Sequence, residues 1–408
     1  MAANRNAAIG FIFITLLVDV IGFGIIIPVL PGLIANLKNV DISTAAKYGS
    51  YLTIAYAVMQ FFFAPVLGNL SDKYGRRPVL LLSLFGFGLD YILLAAAPNY
   101  GWLFAGRIIA GITGSSFTTA AAYISDISTV ETRTKNFGMI GAAFGLGFII
   151  GPLLGGFLGH FGERIPFYTS AVLVLLNWLY GYFVLPESLP EENRRDFSWK
   201  RANPVGSLIN LSKYQTVARL IISMMLIYVA AHALMSNWNY FTIYRFGWNE
   251  LMVGLSLGLV GVMVGAVQAG LTRIINPKIG NEKSVYYGVV FYAIGMLLLG
   301  IATKSWMMFA ILPLYCIGGI AQPALQGVIA GKVPANAQGE LQGALTSTMS
   351  LAAIIGPFIM NNLFFYFTHD QAPFRLPGAP FLLGACLMAV SAVIAYKTLH
   401  PSKNVLQA

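Results

Sequence analysis

Charge is what this 408-residue chain has least of: Asp and Glu together number 15 and Lys and Arg 25, so that 10% of the sequence is charged, against about 25% in an ordinary soluble domain. That scarcity, with a hydrophobic content of 57%, argues against any water-soluble fold, which has too little interior to hide so much apolar surface. Cysteine is nearly absent. Cys316 and Cys386 stand apart inside apolar runs, which excludes a disulfide framework and a cysteine metal site and leaves both as space fillers. The sequence also lacks a P-loop, an HExxH helix and a CxxC pair, so it offers no constellation for an enzyme and no residues for a metal or other cofactor. Rings of repeated polar residues, the mark of an ion filter, are missing too. The net charge of +10 is scattered through short loops instead of gathered into a stripe, so nucleic acid is not an expected partner.

What the chain does have is long apolar runs, each able to cross a hydrocarbon core of roughly 30 Å at 1.5 Å per residue. They predict an all-α membrane protein with helices near 8–30, 49–69, 78–97, 102–125, 136–159 and 167–185, then 217–240, 250–270, 284–302, 307–331, 339–363 and 378–397. The first run is too long for a signal peptide, lacks a small-residue cleavage site, and is expected to stay as a span. A polar stretch containing PESLPEENRRDFSWKRANP divides the spans into two sets of six. The expected organisation is therefore an N-terminal bundle at 1–185, a cytoplasmic linker at 186–216, and a C-terminal bundle at 217–408. Gly151-Pro152 in the fifth span is echoed by Gly356-Pro357 in the eleventh, a trace of duplication. With both termini inside, the inner segments hold about three times the basic residues of the outer loops, which sets that orientation in a cell inner membrane.

Charges inside spans are expensive, roughly 2.5–3.5 kcal/mol each on insertion scales, so each calls for a partner or a task. The N-terminal half has Asp19, Asp90 and Arg107. Counting rises from the membrane faces puts them about 17, 18 and 22 Å from the inner face, in one layer near the midplane. A buried arginine can keep one carboxylate charged, while a carboxylate against a less polar wall holds a proton more readily. The three residues are thus candidates for proton coupling; the plainer reading is an Asp90–Arg107 pair that only locks two helices together. The loop GNLSDKYGRRPVLL offers Gly68 for close helix approach, Asp72 as a cap, Gly75 for a tight bend, and Arg76 and Arg77 as inner-face charges.

GNLSDKYGRRP resembles the signature loop of the major facilitator superfamily. The resemblance implies a twelve-helix fold in two pseudo-symmetric six-helix bundles, and a cytoplasmic gate in which Asp72 and Arg76 form a charge network with Asp126. Arg107, in GRIIAGITG, falls in the family's fourth-helix motif, at a position assigned to proton transfer. In the fifth span, GAAFGLGFIIGPLLGG looks like the motif that separates exporters from importers, with Gly145, Gly151, Pro152, Gly155 and Gly156 forming the pivot; on physical grounds alone small residues at this spacing let helices approach closely, and Pro152 removes one backbone hydrogen bond. DVIGFGIIIPVLP, SLFGFGLDYILLA, RFGWNELMVGLSL and GGIAQPALQGV further resemble twelve-helix tetracycline efflux antiporters. Those antiporters carry a histidine in the eighth span and a carboxylate in the ninth; the matching stretches here hold Val264 and Ala293, so a drug carried as a metal chelate would miss its acidic partner.

Polar candidates for a substrate cavity are Gln60, His232, Asn237, Trp238, Gln268, Gln322, Gln326 and Asn361, each of which also suits plain helix-to-helix hydrogen bonding. Glu340 and Gln342 are expected to cap the eleventh span from the inside. Together these features predict a monomeric secondary transporter in the lipid bilayer, exporting a small lipophilic, cationic or zwitterionic compound in exchange for protons, with no cofactor. An uncoupled facilitator or importer of a small metabolite is the alternative, favoured by the acid-poor second half.

Overall fold

The computed structural model of the chain describes residues 2–114, 116–128, 130–199, 215–333 and 338–400, which are mostly helical and contain no strand. Among them, ten helices are long and apolar enough to cross a membrane by length and composition. The other two expected spans are present in pieces. The fourth is broken at Gly114 into α5 (Tyr100–Thr113) and α6 (Ser116–Ile127), and the eighth is the short helix Glu250–Ala266 followed by a π-helical turn at Val267–Leu271. The tenth, long enough in total, is interrupted by a 3-10 turn at Gly318–Ile320. Continuous apolarity made these three look like uninterrupted helices in the sequence, because hydropathy reports the solvent and not the hydrogen-bond register.

The chain divides into two compact units, one of Met1–Asn203 with Trp248–Gly261, the other of Pro204–Gly247 with Val262–Ala408. The segment Trp248–Gly261, expected with the second bundle, thus packs with the first unit. Residues 200–214 of the linker, and the side chains of Arg5, Arg133, Lys135, Glu340 and Gln342, lie outside the described residues.

In the first unit α1 (Ala2–Ile26) ends well before residue 30, and a separate short helix α2 (Leu30–Lys38) follows with Pro31 in its first turn, where a missing N–H costs nothing. Asp41 then caps α3 (Ile42–Tyr74) by accepting from the Thr44 amide at 3.1 Å. Gly75, at φ +103, turns the chain into α4 (Arg76–Ala96), a conformation strained for any residue with a Cβ. The α1 helix lies along α7 (Val130–Gly159), and α4 along α8 (Ile165–Val184). Phe11, Ile12, Leu16, Leu80, Tyr123 and Ala143 are buried together between these helices.

The α1–α7 seam is built on absent side chains: a Cβ on Gly151 would stand 2.8 Å from the Gly24 Cα, and one on Gly147 2.6 Å from the Val20 Cβ. Gly156 faces a different neighbour, with Gly254 Cα only 3.1 Å from its missing Cβ. In the second unit the helix Gln215–Met235 packs on Ala379–Leu399 through a buried Ser223–Ser391 hydroxyl pair 2.7 Å apart.

Candidate functional site

Within the first unit, α1, α3, α4 and α5 bring a polar cluster together inside apolar surroundings. Asp90 is fully buried and paired with the guanidinium of Arg107, itself 9% exposed. Asp90 comes from α4 and Arg107 from α5, and Gly106 beside them leaves room for the carboxylate. The guanidinium carbon lies 5.9 Å from the centre of the Tyr56 ring, where the negative face of the aromatic attracts a cation. The Tyr56 hydroxyl accepts from the Gln60 amide at 3.0 Å, and the same amide donates to the Gly114 carbonyl at 3.1 Å. Gln60 therefore satisfies a backbone acceptor released by the break between α5 and α6, which in lipid would be costly to leave open. Asp19, on α1, interacts electrostatically with Tyr56 and Tyr91 and meets the Ser116 side chain; among the described residues no cation pairs with it. One carboxylate of the cluster is locked to a cation, and the other is buried without one.

Where α3 turns into α4, Arg76 donates to Asp72 at 2.5 Å, to Ser71 at 2.7 Å and to Asp126 at 3.0 Å. The structure thus joins Asp72, Arg76 and Asp126 into one network. Glu187, which sequence reasoning passed over, completes it. Its carboxylate accepts the backbone N–H of Arg76 at 2.8 Å and of Arg77 at 3.2 Å, capping α4 from a position 111 residues later; the arrangement satisfies free amides at a helix N-terminus where a negative charge is also favoured. Ser188 donates to Asp126 at 3.1 Å, the Tyr123 hydroxyl to the Pro186 carbonyl at 2.8 Å, and the Arg195 amide to the Asp72 carbonyl at 3.0 Å. Arg77 reaches the Tyr182 carbonyl. The beginning of the polar stretch therefore fastens onto the signature loop. The Pro-Glu-Ser sequence directly after an apolar run was the available signal. Gly68 does not make the close approach expected of it: its missing side chain faces open space.

The glycine string of α7 divides by face. Gly151 and Gly155 receive α1, Gly156 receives Glu250–Gly254, and Gly145 meets nothing within 4 Å. The helix runs on through Pro152 without a break. In the second unit, three cavity candidates are buried. The Asn237 amide nitrogen donates to the Asn361 carbonyl oxygen at 3.1 Å, the two residues being 0% and 1% exposed, and Trp238 is buried against Phe381; the bond meets part of the need of two amides in an apolar interior, and Asn237 Oδ1 has no partner among the described residues. Gln322 and Gln326 instead meet Tyr228, His232 packs on Gly356, and Gln268 sits exposed in the π-helical turn. Among the described residues no group of His, Cys, Asp or Glu is arranged to hold a metal ion.

Comparison with known proteins bears on what this arrangement serves. The sequence profile of the Major Facilitator Superfamily matches residues 12–357. The chain is 40% identical to the class C tetracycline resistance protein of Escherichia coli over 361 residues, 88% of this chain and 90% of that one. It is 37% identical to the class H protein of Pasteurella multocida over 395 residues, 96% of each. Among solved structures, the human organic anion transporter MFSD10 (TETRAN) superimposes with a TM-score of 0.73 at 24% identity, over 96% of this chain and 99% of that one. The nucleoside transporter NupG superimposes with a TM-score of 0.76 at 12% identity, over 98% and 100%; at such identities these two speak for the fold alone. The chain is a multi-pass membrane transporter of small molecules and not an enzyme, and it belongs to the Major Facilitator Superfamily.

Proposed function

We propose that this chain exports a small lipophilic compound, cationic or zwitterionic, in exchange for protons by alternating access, acting as a monomer in the plasma membrane with both termini inside. The observation that carries the reading is the contrast between the two buried carboxylates of the first unit. Asp90 is held by Arg107, while Asp19 has no cation of its own among the described residues. A carboxylate in that position is a place where a proton and a cationic substrate compete, and competition for one site is how two gradients become linked. Asp19 exchanges the proton, and Arg107, pinned between Asp90 and the Tyr56 ring, sets how firmly it is held. Tetracycline resistance proteins as relatives support drug export as the direction.

Asp72, Arg76 and Asp126 form the cytoplasmic gate in this reading, with Gly75 and Arg77 shaping the loop. Such a charge network favours one closed arrangement of the inner ends and must break for them to separate. The pivot is the seam of Gly151, Gly155 and Gly156 around Pro152. No cofactor takes part; the proton gradient supplies the driving force.

The test is uptake of fluorescent lipophilic cations and of tetracycline into inverted proteoliposomes, with and without an imposed pH gradient. Gradient-dependent uptake that Asp19→Asn abolishes is the expected result. Uptake indifferent to both the gradient and the substitution would sink the antiport reading and leave a facilitator.

A further inference from the structure

The spans of the second unit carry no Asp or Glu away from helix ends, so whatever they recognise they recognise without an acidic charge. We propose that Tyr228, His232, Gln322 and Gln326 form a neutral hydrogen-bonding site for the uncharged part of the transported compound, a portion bearing carbonyl, amide or hydroxyl groups. The inference rests on the transport reading above and adds the chemistry of a ligand site to it.

Tyr228 and His232 are one turn apart on the helix Gln215–Met235, and Gln322 and Gln326 one turn apart on Ala321–Gly331, so each pair shares a helix face. The Tyr228 hydroxyl accepts from the Gln322 amide at a long 3.4 Å and interacts with Gln326 as well. Each glutamine both donates and accepts, more than one phenol can satisfy. All four side chains are only partly buried. An amide with unmet hydrogen bonds is costly against hydrocarbon, so the exposed side of this group is turned to water or to a polar ligand. His232 adds a buried Nδ1 with no partner. Its ring is seated by Gly356, where a Cβ would stand 2.6 Å from the imidazole Cγ.

A second observation is independent of these side chains. The π-helical turn Val267–Leu271 and the 3-10 turn Gly318–Ile320 meet, with the Val267 side chain 3.4 Å from where a Gly319 Cβ would be. Both interrupt the helical ladder within apolar spans, and Gln322 stands two residues after the second. Irregular backbone at membrane depth is tolerated where it is buried in protein or lines a watery cavity, and π-helical turns gather at functional sites. Two such interruptions against one another, beside unsatisfied amides, mark a place built for a ligand and not for packing alone. Sites of this kind discriminate by hydrogen-bond pattern, because a ligand lacking the group leaves the protein's own dipoles unpaired.

Equilibrium binding to the full chain in lipid nanodiscs tests the site. Chloramphenicol serves as an uncharged probe with hydroxyl and amide groups, and tetraphenylphosphonium as a lipophilic cation with neither. Gln322→Leu and Gln326→Leu, which keep side-chain bulk, should each weaken chloramphenicol binding by about tenfold, the loss of one hydrogen bond, and leave the cation within about twofold. Tyr228→Phe removes a single oxygen and carries the same expectation should a leucine variant fail to fold. Should the cation not bind, chloramphenicol alone decides. Equal weakening of both probes, unchanged chloramphenicol binding in all variants, or no chloramphenicol binding by the unaltered chain below about 1 mM would overturn the site. Gradient-driven uptake is measured separately. Amide-dependent binding without gradient-driven uptake leaves the site standing and removes proton antiport, whereas uptake with amide-indifferent binding does the reverse.

Discussion

The two units solve the problem of polar groups in an apolar medium in opposite ways. The first buries formal charge, pairing Asp90 with Arg107, placing Tyr56 against the guanidinium and leaving Asp19 without a cation. The second uses neutral dipoles only, closing some of them on each other, as Asn237 does on Asn361, and leaving others partly satisfied around Tyr228. A charged group responds to protons and to membrane potential, whereas an amide responds to neither. Under the proposed function, that division would give energy coupling to one half and selectivity to the other.

The comparison breaks most visibly at the ion pair. Arg107→Met alone leaves Asp90 buried without its cation and should cost about 3–5 kcal/mol, whereas the double change with Asp90→Leu should recover most of that loss. Thermal unfolding in detergent measures both. If the pair only fastens helices, the double variant also transports; under the coupling reading it folds but no longer uses the gradient. Next in size are the glycine faces of α7. Gly151→Leu forces a side chain into the seam with Gly24 and should destabilise by about 1–3 kcal/mol, while Gly145→Ala, whose side chain meets open space, should stay within about 0.5 kcal/mol. In the neutral unit, Asn237→Leu strands a buried Asn361 amide, at a cost of about 1–3 kcal/mol, and the double change with Asn361→Leu should be nearly neutral. No such recovery would mean that Asn237 has an essential partner besides Asn361. A smaller loss than those of the ion pair, the Gly151 seam and Asn237 is expected from Glu187→Gln, which keeps a carbonyl oxygen for one of the two α4 amides and loses the charge, about 0.5–1 kcal/mol. Labelling of cysteines introduced at the C-terminal ends of α3 and α6 should rise in that variant, since the loop that carries Arg76 is held less firmly.

How far these features could be read in advance follows from their range. Asp19, Asp90 and Arg107 declared themselves because any charge in an apolar run is anomalous, and Asp72 with Arg76 because the loop is short and its spacing specific. The pairing of Asp90 with Arg107 was legible from depth alone, since both fall in one layer when rises are counted. What was not legible depended on partners distant in sequence. The carbonyl that Gln60 bonds, released by the break at Gly114, lies 54 residues away and could not be read from its surroundings in sequence. Asn237 and Asn361 looked exposed to a ligand because neither shows in sequence that the other, 124 residues away, answers it. The register changes at Val267–Leu271 and Gly318–Ile320 left no mark on hydropathy at all, since a π or 3-10 turn changes which carbonyl is bonded and not which residues are oily.

Glu187 also imposes an order in time. The amides it caps belong to Arg76 and Arg77, made 111 and 110 residues earlier. At a synthesis rate of about 5–20 residues per second, the signature loop waits about 5–20 s after its own emergence before the residue that completes it exists. Throughout that interval the N-terminal end of α4 lacks this cap. The loop is finished only when the sixth span has been made, so the newborn half cannot fasten this end before it is whole.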